Sequence, residues 1–363
     1  MEQVHPRAPG RVRLAGAVRL AVKLGAALFL FILALQVMKT GAASLSILQG
    51  DGFLVRSPWT TLGLGWLGAL LVLSGSPVAA SALALVGAGA ISEVEGFTML
   101  TGSRLGAAFV VLLVAVLYAL RGGEGERMKP VSTAVMALVT TALIYVPGSL
   151  IGYALLRWPT FRGFNISFPA QFDSVVDLIY GPIIDRVESL PAVVLFLGGL
   201  GVLLVSFKVI DTVVPQLSEQ DIESSKLGWL KKKWPMFALG CMVALISMSV
   251  SVALTILVPL VVKGYVKRDA ILPYIMGANI TTLGDTLLAA FLLDSPAAVR
   301  IVIAQIIGTT IVSVFLLALF YFPVRRGVWK FQRQMVRSKP RLAMFTAGLF
   351  SLPLAIIFFG NVG

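Results

Sequence analysis

The feature that most constrains the fold is a polar pattern that occurs twice inside apolar sequence. Residues 277–282 read GANITT, and a serine-rich run, SMSVS, precedes them at residues 247–251. Residues 102–107 read GSRLGA, and residues 74–76 read SGS. The later copy of each motif lies 175 residues after the earlier one. A constant offset without gaps indicates an internal duplication.

The composition is that of a membrane protein. The chain is 58% hydrophobic and 13% charged, whereas a soluble domain has about 25% charged residues. Several uncharged runs reach the roughly 20 residues that cross a bilayer core as a helix. We therefore predict an all-α polytopic membrane protein.

The residue inventory argues against several other classes of function. Cys241 is the only cysteine and His5 the only histidine, so we expect no intrachain disulfide, metal cluster or histidine-based catalysis. No nucleophile–base pair is recognisable, and we expect neither an enzyme nor a resident cofactor. The net charge of +13 is expected to reflect membrane orientation, not a nucleic-acid partner.

The duplication divides the chain into two repeats and four other segments. The predicted order is a cytoplasmic tail (1–17), repeat 1 (18–156), an interfacial linker (157–190), repeat 2 (191–322), a basic cytoplasmic loop (323–341) and a C-terminal transmembrane helix (342–363).

Each repeat is predicted to contain one re-entrant helical hairpin and one broken transmembrane helix. The hairpins cover 58–92 and 234–262, which are too short for two full crossings and a turn. The broken helices cover 98–120, interrupted near Gly102 and Gly106, and 271–293, interrupted near Gly277 and Gly284. An odd number of crossings separates the repeats, so we expect inverted topologies, a common transporter plan with a binding site near the midplane.

The distribution of basic residues predicts the orientation. With a cytoplasmic N-terminus, 22 Lys and Arg residues fall on the cytoplasmic side and 6 on the opposite side. This asymmetry fits the positive-inside rule. We expect an integral plasma (inner) membrane protein whose C-terminus lies opposite to its N-terminus.

The interrupted helices and hairpin tips are the candidate binding site. A helix that ends inside a membrane offers N–H groups to an anion or carbonyl groups to a cation. We expect the substrate anion at Ser74, Gly75, Ser76, Ser249, Val250, Ser251, Arg104 and Asn279. We expect a coupling cation at Ser247, Thr281, Thr282, Asp285 and Thr286. The alternative is that these small polar residues only pack helices together.

Two ionisable residues lie deepest in the apolar segments. Arg104, which corresponds to Asn279, can clamp a tetrahedral oxyanion with two hydrogen bonds. Alternatively it pairs with Glu93, Glu95 or Asp285 and holds helices together. Asp285 can coordinate Na+, carry a proton or balance Arg104, and we favour cation coupling.

Residues 277–282 and the serine-rich run before them resemble the sodium–phosphate cotransporter family, the type II Na+/Pi symporters and their bacterial relatives. The entry helix, LFLFILALQVM at residues 28–38, is similar too. The resemblance covers roughly residues 20–325 and implies inverted repeats, two hairpins and Na+-coupled phosphate transport. The implied partners are phosphate or a related anion, Na+ or H+ and the lipid bilayer. A homodimer is left open.

The chain departs from the family's motifs, which read QSSS at each tip and GxNIGTT in each broken helix. The tips here read SGSP and SVSV, Arg104 replaces the first Asn, and Thr281 replaces the second Gly. These departures keep two alternatives open. One is the same fold carrying an organic or lipid-linked anion with proton coupling through Asp285, and the other is a non-transporting membrane scaffold.

Overall fold

The computed structural model describes residues 9–45, 57–121, 128–163, 166, 170–213, 232–262 and 266–360, and every element within them is helical. Seven described helices are long and apolar enough to cross a membrane. The chain is therefore a polytopic helical membrane protein. The seven are Val18–Ala43, Glu93–Leu120, Met128–Arg157, Ala192–Ile210, Arg268–Leu292, Pro296–Ala318 and Lys339–Phe359.

The helices fall into two successive groups. The first comprises α1 (Pro9–Ala43), α2 (Pro58–Val72), α3 (Ser76–Gly87), α4 (Glu93–Ala107), α5 (Phe109–Arg121), α6 (Met128–Arg157), α7 (Pro159–Arg162) and α8 (Ala170–Val187). The second comprises α9 (Ala192–Val213), α10 (Lys233–Ser247), α11 (Val250–Val262), a 3-10 turn (Arg268–Ala270), α12 (Ile271–Thr281), α13 (Leu283–Leu292), α14 (Pro296–Ala318), α15 (Tyr321–Val336) and α16 (Lys339–Phe359).

Two helix pairs, α2–α3 and α10–α11, are joined by tight turns at equivalent places. The residue after α2 is Leu73 (φ 56°) and the residue after α10 is Met248 (φ 46°), and both have a left-handed backbone conformation. The two residues are 175 positions apart, the offset of the sequence motifs. A left-handed conformation costs a non-glycine residue roughly 1–2 kcal/mol, so packing must hold each turn in place. The first helix of each pair has 15 residues, about 22 Å at 1.5 Å per residue.

Capping residues set where the helices of the first group begin. Ser57 accepts a hydrogen bond from the Thr60 amide, and the Thr60 hydroxyl accepts one from the Ser57 amide. Ser92 and Glu95 make the same reciprocal pair at the start of α4. Such capping boxes satisfy amides that the first helical turn leaves without partners. The Ser57 hydroxyl also donates to the carbonyl of Gly360 at 2.8 Å, which ties the end of α16 to the start of α2.

Glycines let α2 cross α4, and α10 cross α12, with backbones in contact. A methyl group added to any of four glycines would overlap the facing carbonyl oxygen. Only glycine permits this approach without moving a helix. The four contacts form two sets related by 175 residues: Gly65 with Met99 and Gly240 with Tyr274, then Gly102 with Leu62 and Gly277 with Phe237.

The two groups of helices also contact each other directly. α1 packs along α9, where the Ser206 hydroxyl donates to the carbonyl of Ala27 at 2.8 Å. α6 crosses α14, where a methyl group on Gly308 would overlap the carbonyl oxygen of Gly148. These contacts bring α4, α6, α12, α13 and α14 together in the interior.

The structure differs from the predicted boundaries in several places. Helix α1 begins at Pro9, within the predicted tail, and the predicted linker 157–190 contains α7 and α8. The segment 323–341, predicted as a basic loop, is helical over most of its length, because Val328 and Gln332 form a buried face of α15. The first broken helix is interrupted at Ala108, just after Gly106, and the second at Thr282, between Gly277 and Gly284. Gly102 serves the crossing with α2.

Candidate functional site

The centre of the candidate site is a buried ion pair between the two interrupted helices. Arg104, which is 1% exposed, lies in the last turn of α4, and Asp285, which is 3% exposed, lies in the first turn of α13. The Nη2 of Arg104 lies 3.4 Å from the Oδ1 of Asp285. The same nitrogen donates to the Thr286 hydroxyl, which in turn donates to the Oδ1 of Asp285 at 2.8 Å.

The helix ends favour both charges of this pair. The C-terminus of a helix carries a partial negative charge and its N-terminus a partial positive charge. Arg104 is at the C-terminal end of α4, and Asp285 is at the N-terminal end of α13. Each charge is thus stabilised by its own helix as well as by its partner, which offsets part of the cost of burial.

The alternative partners predicted for Arg104 are engaged elsewhere. The carboxylate of Glu93 accepts a hydrogen bond from the Nε of Arg300 at 2.8 Å. Glu95 caps the start of α4 through the amide of Ser92. Of the three predicted partners, the structure therefore pairs Arg104 with Asp285. The sequence had assigned these two residues to separate anion and cation sites, and the structure places them in direct contact.

Several buried polar atoms around the pair have no hydrogen-bond partner among the described residues. They include the Nε and Nη1 of Arg104, the Oδ2 of Asp285 and the Oδ1 of Asn279. A buried polar group without a partner costs roughly 1–3 kcal/mol, and more when charged. The unused guanidinium donors can bind an anion, and the unused carboxylate oxygen beside them can bind a cation.

A second polar cluster surrounds the end of α12. The fully buried Asn279 donates from Nδ2 to the Thr141 hydroxyl at 3.1 Å and to the carbonyl of Ile275 at 2.9 Å. The Tyr145 hydroxyl donates to the carbonyl of Asn279 at 2.7 Å, and Thr282 donates to the same carbonyl at 3.2 Å. These donors satisfy a carbonyl that the interrupted helix leaves open.

The two interrupted helices bind the opposite helix group in a reciprocal way. Asn279 of α12 contacts Thr141 of α6. Thr101 of α4 donates to the Oε1 of Gln305 in α14 at 2.7 Å, and both residues are buried. Each broken helix is therefore held by the closing helix of the other group.

The first turn packs against α4, and the second turn contains a hydrogen bond between two of its own residues. Gly75 lies against the end of α4, where an added methyl group would be 2.9 Å from the Ala107 Cβ and from the Ser103 carbonyl oxygen. Ser76 beside it is buried, and Ser74 is half-buried. In the second turn the Ser247 hydroxyl donates to the carbonyl of Ser249 at 3.2 Å.

Ser249 and Thr281, both predicted site residues, make contacts that stabilise the helices around them. The Ser249 hydroxyl accepts a hydrogen bond from the Val252 amide at 3.3 Å, which caps α11. The Thr281 hydroxyl donates to the carbonyl of Cys241 at 2.8 Å and so joins α12 to α10. The side chains of Val250 and Ser251 lie outside the described part of the chain.

An apolar cavity of about 440 Å³ reaches Asp285 from one side, and among the described residues Asp285 is the only charged one that lines it. It lies between α1, α9, the turn after α10 and α13. Its apolar wall consists of Leu20, Leu24, Ala27, Leu28, Phe31, Phe207, Ile210, Ile246, Met248 and Leu288.

The closing helices α6 and α14 contribute polar residues that were not predicted as part of the site. Thr141 and Tyr145 on α6, and Gln305 on α14, were counted only as parts of crossings. One signal was present: Thr141 and Tyr145 are four residues apart and share one face of an apolar helix. Polar side chains grouped on a single face of a transmembrane helix indicate a protein-facing side.

Comparison with known proteins identified no relative of this chain. No protein-family model, no curated protein and no solved structure matches this chain.

Proposed function

We propose that this protein is a secondary active transporter that moves inorganic phosphate, or a similar small oxyanion, together with Na+. The proposal is based on the burial of Arg104 and on its unused hydrogen-bond donors. Its guanidinium group is buried between two interrupted helices, and its Nε and Nη1 have no partner among the described residues. A planar guanidinium group with free donors is suited to two-point binding of a tetrahedral oxyanion.

The proposed architecture is a pair of inverted repeats, α1–α6 and α9–α14, with α2–α3 and α10–α11 as re-entrant hairpins. The left-handed turns at Leu73 and Met248, with the 175-residue offset of the glycine contacts, support it. A 15-residue helix is about 22 Å long, short of the roughly 30 Å hydrocarbon core. The basic residues support a cytoplasmic N-terminus, a C-terminus on the other side and a plasma (inner) membrane location.

The ion pair gives a physical reason for coupling to a cation. An anion that binds Arg104 competes with Asp285 for the guanidinium group, and a buried carboxylate without a partner is costly. A cation at Asp285 restores the charge balance in the bound state. The Oδ2 of Asp285, the Thr286 hydroxyl and the Thr282 hydroxyl are oxygen ligands of the kind that Na+ accepts. Anion and cation then bind together more readily than either does alone.

A second candidate function keeps the fold and changes the cargo. The apolar cavity beside Asp285 suits a hydrocarbon chain better than it suits inorganic phosphate. The substrate in that case is an organic or lipid-linked anion whose apolar part occupies the cavity, and Asp285 carries a proton in place of Na+. The third alternative, a membrane scaffold without transport, is an outcome of the experiment below.

Uptake of labelled phosphate into proteoliposomes tests the proposal. We expect uptake to rise when a Na+ gradient is imposed, and to fall at least about tenfold in Arg104→Lys, because an ammonium group cannot make the two-point contact. Arg186→Lys, at an exposed position on α8, is the matched control and should retain wild-type uptake.

Three outcomes separate the alternatives. A proton gradient that drives uptake of an amphiphilic phosphate ester, without phosphate uptake, supports the second candidate. Uptake that is equal in Arg104→Lys and in the wild type contradicts a site at Arg104. A protein with no flux under any gradient, and no thermal stabilisation by phosphate or Na+, is a scaffold.

A further inference from the structure

The helix α15 carries a concentration of positive charge that the transport site does not use. It connects α14 and α16, both of which are long and apolar enough to span a membrane. The sequence from residue 301 to the C-terminus contains no Asp and no Glu. A short amphipathic helix with basic residues on one face is expected to lie along the membrane surface.

One face of α15 forms a pocket with the start of α16. The pocket has a volume of about 440 Å³, and five basic side chains line it together with Trp329. Four of the five, Arg326, Lys330, Arg333 and Arg337, follow one another at spacings of four, three and four residues. Residues at such spacings share a helix face. The fifth, Arg341, comes from the first turn of α16.

Two further guanidinium groups lie against the ring of Trp329, and they are outside the set of residues that line the pocket. The guanidinium groups of Arg268 and Arg325 lie 5.1 Å and 4.8 Å from the ring centroid of Trp329. Asp269 is 3.3 Å from Arg325. Gln332 binds Arg268 and donates to the Ser132 hydroxyl at 2.8 Å, which fixes α15 to α6.

Three N–H donors in this region remain without a partner among the described residues. They are the indole Nε1 of Trp329 and the Nε atoms of Arg268 and Arg325. Like charges four residues apart on a helix destabilise it, so this arrangement is unfavourable on its own. An anion with several oxygen acceptors in the pocket relieves the repulsion, and it offers an acceptor to Trp329, the one of the three residues that lines the pocket.

We propose that this pocket binds a phosphate group at the membrane surface, separate from the transport site. The five lining cations supply the charge, and the arginines among them supply the two-point donors that phosphate oxygens accept. An anionic lipid headgroup and a soluble polyphosphate share this chemistry. Basic residues that only set topology need to lie on the correct side of the membrane, and they need not surround one pocket.

The test compares two double variants with equal loss of charge. Arg333→Gln/Arg337→Gln removes two pocket cations. Lys267→Gln/Lys339→Gln removes two exposed cations of the same region that do not line the pocket. The full-length protein is placed in nanodiscs of phosphatidylcholine, with phosphatidylglycerol in one arm and with added tripolyphosphate in the other. Retention of each probe is measured by native mass spectrometry.

We expect the pocket variant to retain the probe at least about tenfold less well than the control variant, which should resemble the wild type. Retention of phosphatidylglycerol identifies a lipid headgroup as the source of the phosphate, and retention of tripolyphosphate alone identifies a soluble one. Equal losses in both double variants, or no retention in either arm, overturn the proposal. Arg333→Lys/Arg337→Lys keeps both positive charges and serves as a control for misfolding. It should retain the probe less well than the wild type and better than Arg333→Gln/Arg337→Gln.

Discussion

Arg104 and Asp285 are 181 residues apart in the chain, and their side chains form a 3.4 Å ion pair inside the helical bundle. One contact therefore joins the end of α4 to the start of α13. In a bilayer neither charge has bulk water as an alternative, so pairing is the least costly arrangement available. The pair fixes the two interrupted helices to each other, and under the proposed function it is also the contact that a substrate anion bound to Arg104 weakens.

The two roles of this pair can be separated by removing one charge or both. Arg104→Gln leaves Asp285 buried without a partner, and we expect a loss of about 3–5 kcal/mol of stability. Arg104→Gln/Asp285→Asn removes both charges and should recover most of that loss. Thermal unfolding in detergent measures the stability, and phosphate uptake should be absent from both variants. A double variant as unstable as the single one would contradict the ion pair as the stabilising contact.

The coupling ion can be tested at Asp285 alone. Asp285→Asn keeps the shape of the side chain and removes its charge, so a cation loses its main ligand. We expect uptake that no longer responds to a Na+ gradient, at a rate at least about tenfold below wild type. Asp177→Asn, at an exposed position on α8, is the control. A Na+ response that persists in Asp285→Asn would place the coupling site elsewhere.

Tyr145 is predicted to hold the break in α12 in its observed geometry. Tyr145→Phe removes one of the two side-chain donors to the Asn279 carbonyl. The Thr282 hydroxyl is then the remaining side-chain donor to that buried oxygen. We expect a loss of about 1–2 kcal/mol, measured by thermal unfolding, together with a lower rate of uptake. Tyr153→Phe, two turns further along α6 and half-buried, should change neither quantity. A wild-type result for Tyr145→Phe would show that Thr282 alone satisfies the carbonyl.

The features that could be predicted from the sequence are those set by local constraints. Hydrophobic runs and charge predicted the membrane class, because the bilayer constrains every spanning segment. The turns at Leu73 and Met248 lie beside the serines that marked them. The interruptions lie within a few residues of the glycine-rich motifs.

The contacts that complete the candidate site are long-range, and the sequence could not place them. Thr141 and Tyr145 reach Asn279 because α6 crosses α12 in the assembled bundle. That crossing depends on the packing of the whole bundle. The same holds for Arg104, whose three candidate partners could be distinguished only after the helices were assembled. The helix α15 was taken for a loop because its composition is basic, and its buried face, formed by Val328 and Gln332, is evident only in the assembled structure.

The two helix groups are predicted to be equivalent at their glycine crossings. Gly65 and Gly240 are related by 175 residues, and each admits a carbonyl oxygen from a crossing helix, that of Met99 or Tyr274. Alanine at either position forces the helices apart, and we expect a loss of about 1–3 kcal/mol from each substitution. Gly198 is the matched control: it lies in α9, and an added methyl group there meets no atom within 4 Å.

Gly198→Ala should leave the stability unchanged or raise it, because alanine is favoured over glycine in a helix by roughly 0.5–1 kcal/mol. Thermal unfolding of the three variants in one detergent provides the comparison. Similar losses at Gly65 and Gly240 are expected if the two crossings are equivalent in structure as well as in sequence. A loss at only one position would show that one crossing tolerates separation, and it would contradict a binding site built symmetrically from both helix groups.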